Sequence, residues 1–81
     1  MMMNNERRLY RVLEFPKHLQ TTILALLKLG RATAEDLAAV TGKARAIESS
    51  YLNQLCVMKV VQKTREGRKA FFMVDLEGLN W

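Results

Sequence analysis

Two groups of residues in this sequence have the chemistry to grip a polyanion. The first is Lys43, Arg45, Ala46, Ser49, Ser50 and Asn53; the second packs four cations, Lys63, Arg65, Arg68 and Lys69, into seven residues. Ammonium groups bind an oxyanion as point charges, guanidinium forks bind two acceptors at once, and hydroxyl and amide groups both donate and accept. Catalysis has no comparable set. There is no Gly-rich phosphate loop, no nucleophile beside a histidine base, and no carboxylate pair that the spacing brings face to face. His18 is the one histidine and Cys56 the one cysteine. A protein metal site needs several ligands, so neither a metal nor a cofactor is expected, and the chain is not expected to be an enzyme. Cys56 lies among Leu55, Val57 and Met58, where a buried small hydrophobe is expected.

The spacing also outlines the elements that must position these groups. Asn5 caps an expected short helix over Glu6 to Glu14, with Leu9, Val12 and Leu13 on one face. Phe15-Pro16 interrupts that pattern, and Pro16 suits the first position of the next helix, expected to run to Leu29. Leu19, Ile23, Leu26 and Leu27 form its stripe, Leu24 and Leu29 widen it, and Gly30 stops it. Arg31 to Thr33 reads as a connector. Thr33 and Asp36 have capping-box spacing and open a helix over Ala34 to Thr41, with Leu37, Ala38 and Val40 inward, that Gly42 ends. A third helix spans about Arg45 to Val57. Its inward side is expected to carry Ile47, Tyr51, Leu52 and Leu55; Ala46, Ser49, Ser50 and Asn53 point away, with Lys43 and Arg45 at the edges. Val60 to Arg65 and Lys69 to Asp75, rich in β-branched and aromatic residues, flank Gly67 and read as a hairpin. The expected register sets Arg65 opposite Arg68, Lys63 opposite Ala70 and Val61 opposite Phe72. Leu76 to Trp81 reads as a tail.

Composition agrees with one small globular domain. The chain has 81 residues, 49% of them hydrophobic, with 4 glycines and 1 proline, and its 13 Lys and Arg exceed its 8 Asp and Glu for a net charge of +5. Such an excess on a small surface favours nucleic acid or an anionic membrane. No apolar run approaches the roughly 20 residues of a membrane span. Met1 to Arg11 holds no signal-peptide stretch, so a cytoplasmic, nucleoid-associated location is expected.

Short helix, Gly-containing turn, helix and then a basic-tipped hairpin is the winged helix-turn-helix order. The segment LAAVTGKARAIESSYLNQL from Leu37 to Leu55, followed by KVVQKTREGRKAFF from Lys59 to Phe72, resembles archaeal and bacterial winged-helix regulators, the MarR, ArsR and TrmB-like groups being nearest in pattern. The likeness runs from about Pro16 to Val74. It implies an α+β winged helix with a three-helix core, a two-stranded wing, and a short extra N-terminal helix. Residues 1–15 would form the leader and a possible dimer contact, 16–75 the DNA-binding domain, and 76–81 the tail.

The same resemblance implies that Arg45, Ala46, Ser49, Ser50 and Asn53 lie on a recognition helix in the DNA major groove, and that Arg65, Arg68 and Lys69 lie on the wing. The residue types suit those roles. A groove about 12 Å wide admits a helix with a slim outer face, Arg45 can meet guanine and Asn53 adenine, and Lys43 suits a phosphate. Glu48 departs from the pattern, where an apolar residue is common, and is expected to play a structural part by bonding the Arg45 N–H or a basic neighbour. The sequence leaves open a winged helix that binds proteins and a non-specific architectural DNA binder. Surplus apolar surface on the first two helices suggests a homodimer.

Overall fold

The computed structural model describes residues 10 to 79. The leader Met1 to Asn5, the Asn5 cap, Leu9 and the end of the tail, including Trp81, lie outside the described residues.

A helical turn over 10–13 packs Val12 and then Phe15 into the core, and Pro16 caps helix α1 (Lys17–Leu29), one residue earlier than the helix begins. Leu19, Ile23 and Leu26 of the expected stripe are buried on one side of α1, while its fourth member, Leu27, is exposed together with Leu24 and Leu29. Gly30 ends the helix. Arg31 and Ala32 are not a loose connector: they form a strand, β1 (Arg31–Ala32). Helix α2 (Ala34–Thr41) opens with the expected capping box, the Thr33 hydroxyl accepting from the Asp36 N–H at 3.1 Å and the Asp36 carboxylate accepting from the Thr33 N–H at 3.1 Å. Leu37 is its core anchor; Val40 is exposed. Gly42, in the left-handed region, ends α2, and α3 (Arg45–Val57) follows after a short turn.

The inward side of α3 is rotated from the expectation. Glu48, Leu52 and Leu55 are fully buried, whereas Ile47 is 43% exposed and Tyr51 half-buried. Positions 48, 52 and 55 follow the i, i+4, i+7 repeat and set the core direction, so Ile47 falls on a flank.

Helix α3 leaves for the sheet through a Schellman motif. The Val60 N–H bonds the Leu55 carbonyl at 2.9 Å and the Lys59 N–H bonds the Cys56 carbonyl at 3.0 Å, with Lys59 at φ 64° where glycine is usual. Strands β2 (Val61–Glu66) and β3 (Lys69–Val74) form the wing, and β1 adds to the free edge of β3, giving the antiparallel order β1-β3-β2. The sheet is therefore three-stranded, with Arg31 opposite Met73 and Ala32 opposite Phe72. Two residues are too few for alternation to announce a strand; only tertiary pairing defines it.

The hairpin register also differs. Glu66 faces Lys69, Arg65 faces Ala70, Lys63 faces Phe72 and Val61 faces Val74. The expected pairing centred the turn on Glu66-Gly67; the observed two-residue turn is Gly67-Arg68. Gly67 has φ 62° and Arg68 is not among the positive-φ residues, the pattern of a turn with glycine at its first central position. The slip is by two positions, so each residue keeps its face of the sheet. Phe72 and Val74 face the core, and Lys63 and Arg65 share their side. A last helical turn, α4 (Leu76–Leu79), replaces the start of the expected tail.

Candidate nucleic-acid interface

A cleft runs between α3, the start of α2 and the wing. Arg45, Ser49 and Asn53 line it from α3, and Lys63, Arg65, Arg68 and Lys69 line it from the hairpin. Two groups far apart in sequence therefore meet around one depression. Helix α3 is held against the wing by the Schellman exit and by the buried Leu55, Val60 and Val61 at the junction. All four wing cations are exposed.

Ala46 and Ser50 lie outside the cleft, on the outer face of α3, with Ser49, Asn53, Gln54 and Val57. Gln54 and Val57 were not among the residues expected there. Val57 is 82% exposed, and its spacing of 4 from Asn53 and 7 from Ser50 was a sufficient signal for that face. Small and short side chains at Ala46, Ser49 and Ser50 leave the helix slim enough for close approach by a broad partner.

Acids also reach the cleft. Glu35 and Asp36 line its α2 side, and the Glu35 carboxylate lies 3.8 Å from the Arg45 guanidinium, both side chains being largely exposed. A pair in such contact with water is weak and is easily exchanged for a phosphate. On the outer face of the sheet Arg31 pairs with Glu66 and stacks on Phe71, its guanidinium carbon 4.0 Å from the ring centroid. This contact crosses from β1 over β3 to β2 and braces the wing end.

Glu48 is structural, with partners other than those expected. Its carboxylate accepts from the Thr22 hydroxyl of α1 at 2.8 Å and from the Thr41 hydroxyl of α2 at 2.5 Å, rather than from the Arg45 N–H or a basic side chain. One buried acid thus ties α1 and α2 to α3. Lys43 does not line the cleft; its ammonium sits 5.4 Å from the Tyr51 ring centroid, and His18 of α1 meets the same ring at 4.7 Å. Cys56 is half-buried; burial pushes its thiol above the usual range, with Lys63 opposing, so it is a weak nucleophile at neutral pH. Among the described residues no group of three or more His, Cys, Asp or Glu is arranged to hold a metal.

No family model matches the sequence. The fold is similar to those of several solved structures, two of which are transcription regulators. One is the AntR antimony-specific transcriptional repressor, with a TM-score of 0.69 and 26% identity, covering 88% of this chain and 64% of that one. The other is a possible transcriptional regulator for arsenical resistance, with a TM-score of 0.68 and 26% identity, covering 89% of this chain and 72% of that one. In sequence the chain is 47% identical, over 62 residues, to an uncharacterized protein of Archaeoglobus fulgidus, a match covering 76% of this chain and 84% of the archaeal one. The chain has the fold of winged-helix transcription regulators. It shares a family with the archaeal protein and spans less than two thirds of the AntR chain. As in the sequence-based expectation, this winged helix is α+β, with a basic hairpin following the helix-turn-helix, and β1 is its addition. No described helix is long and apolar enough to cross a membrane.

Proposed function

We propose that this winged-helix regulator reads double-stranded DNA, with α3 in the major groove and the wing on the adjoining backbone or minor groove. The observation that carries this reading is the convergence of Arg45, Ser49 and Asn53 with Lys63, Arg65, Arg68 and Lys69 around one cleft. Arg45 exchanges Glu35 for a base edge or phosphate, Ala46, Ser49, Ser50 and Asn53 approach base edges, and the wing cations neutralise phosphates. The protein acts in the cytoplasm on the nucleoid and is not an enzyme. AntR is antimony-specific, and a soft metalloid prefers thiolate ligands, of which this sequence offers one, Cys56.

The working unit is a homodimer. Tyr10 and Leu13 are 65% and 64% exposed, and Leu24, 48% exposed, lies on the outer side of α1; a second copy would cover this surface. Two α3 helices would then meet half-sites roughly 34 Å apart.

Titrating labelled duplexes, one pooled random sequence and one from the gene's own upstream region, at graded salt tests the reading by fluorescence anisotropy. Salt-steep binding with upstream preference is expected, and Arg45→Ala should erase part of that preference, about 1–3 kcal/mol. Equal binding to both duplexes would favour an architectural role. No binding at low salt would overturn DNA recognition and leave a protein-binding module.

A further inference from the structure

We infer that the flank of α3 turned away from the wing is a second phosphate-binding face, formed by Lys43, Tyr51 and His18, which grips the DNA strand opposite the one the wing meets. The inference rests on the reading of α3 as the groove helix. A helix with side chains is about 10–12 Å across and the major groove about 12 Å wide, so an inserted helix has a sugar–phosphate backbone along each flank. With the core direction set by Glu48, Leu52 and Leu55, rotation by 100° per residue puts Arg45, Ser49 and Cys56 on the wing flank. The other flank carries Ile47, Tyr51 and Gln54. There the basic groups gather on one aromatic ring. Lys43 Nζ lies 5.4 Å from the Tyr51 centroid, and the His18 ring lies at 4.7 Å, tilted by 49°.

Ammonium, imidazole N–H and phenol O–H are all phosphate donors. They come from three elements: the α2–α3 turn, α3 and α1. The buried Glu48 joins α1 and the end of α2, next to that turn, to α3. Thr22, which donates to Glu48, is one helical turn beyond His18 on α1. Thr41 donates to the other Glu48 oxygen and accepts from the Lys43 backbone N–H at 3.3 Å. The carboxylate beneath therefore fixes the backbones from which the donors rise, and a preformed donor set loses little freedom on binding. Lys17, exposed beside His18, adds positive charge at that end of α1.

The test is anisotropy on a labelled duplex of pooled random sequence, comparing the wild type with the His18→Gln/Lys43→Gln/Tyr51→Phe triple variant and with Arg65→Ala/Arg68→Ala. The Tyr51→Phe change keeps the ring, and unchanged thermal melts confirm the fold; His18→Gln alone, at an exposed position, is the fallback if the triple variant melts early. The triple variant should bind tenfold or more weakly, with the slope of log K against log salt flatter by about one unit. His18→Gln alone should weaken binding about threefold. If the wing variant loses affinity and the His18, Lys43 and Tyr51 changes do not, the cluster is packing and the inference fails while the groove reading stands. If neither variant changes binding, both fall.

Discussion

The two flanks of α3 present positive charge in opposite ways. On the wing flank Lys63, Arg65, Arg68 and Lys69 stand on a hairpin whose residues from Gln62 to Lys69 are all exposed. Their support is local: a glycine turn, a register, and the Arg31 brace over Phe71. On the other flank Lys43 and His18 rest on a half-buried Tyr51, above a fully buried Glu48 bonded to two threonines. The wing tip rests on contacts within the sheet, whereas the Tyr51 side rests directly on the core. Exposed long cations supply attraction that is sequence-independent and salt-sensitive, and a packed donor set supplies register. Substitutions should therefore separate the flanks: changes on the wing lose affinity without stability, and a change to Glu48 beneath the Tyr51 flank couples the two.

The largest effect is expected from Glu48→Ala. It removes the acceptor from two hydroxyl groups and leaves a cavity at the junction of α1, α2 and α3. Unfolding in urea should show a loss of about 3 kcal/mol. An unchanged midpoint would mean that this junction does not set the rigidity of the Tyr51 flank.

Arg65→Ala/Arg68→Ala comes next. Removing these two guanidinium groups from the phosphates should flatten the salt slope by roughly two units. Binding to every sequence should weaken alike, about 10- to 100-fold, with the urea midpoint unchanged. A matching loss of stability would erase the contrast between the flanks.

The smallest change expected is a gain. Lys59 holds a left-handed conformation at the exit from α3, which costs a side-chain-bearing residue roughly 1 kcal/mol. Lys59→Gly should relieve it and stabilise the domain by up to about 1 kcal/mol in the same urea measurement. Destabilisation instead would show that the Lys59 side chain packs well enough to outweigh its strained backbone.

Much of this frame was legible in the residues because its signals are local. The Thr33–Asp36 capping box and Gly42 bracket α2, and Gly30 ends α1. The meeting of Arg45, Ser49 and Asn53 with the wing cations follows from the order of elements. What escaped was set by tertiary packing. Strand β1 exists because β3 has a free edge, and its two residues carry no periodic signal. The hairpin register turned on whether Gly67 took the first or the second turn position. Apolar Ile47 suits an inward position by type, yet Glu48 takes the core because Thr22 and Thr41 supply its partners from other helices. The same long-range packing brings His18 onto Tyr51, a contact spanning α1 and α3 that no spacing along the chain announces.

Hydroxyl-radical footprinting of the wild type on its own upstream duplex tests the central claim most directly. Protected sugars are expected on both strands, bordering a single major groove. The wing-side tract should weaken in Arg65→Ala/Arg68→Ala at saturating protein, with the opposite tract retained. Uniform cleavage on both strands, at concentrations where anisotropy reports saturation, would contradict insertion of α3 between two backbones.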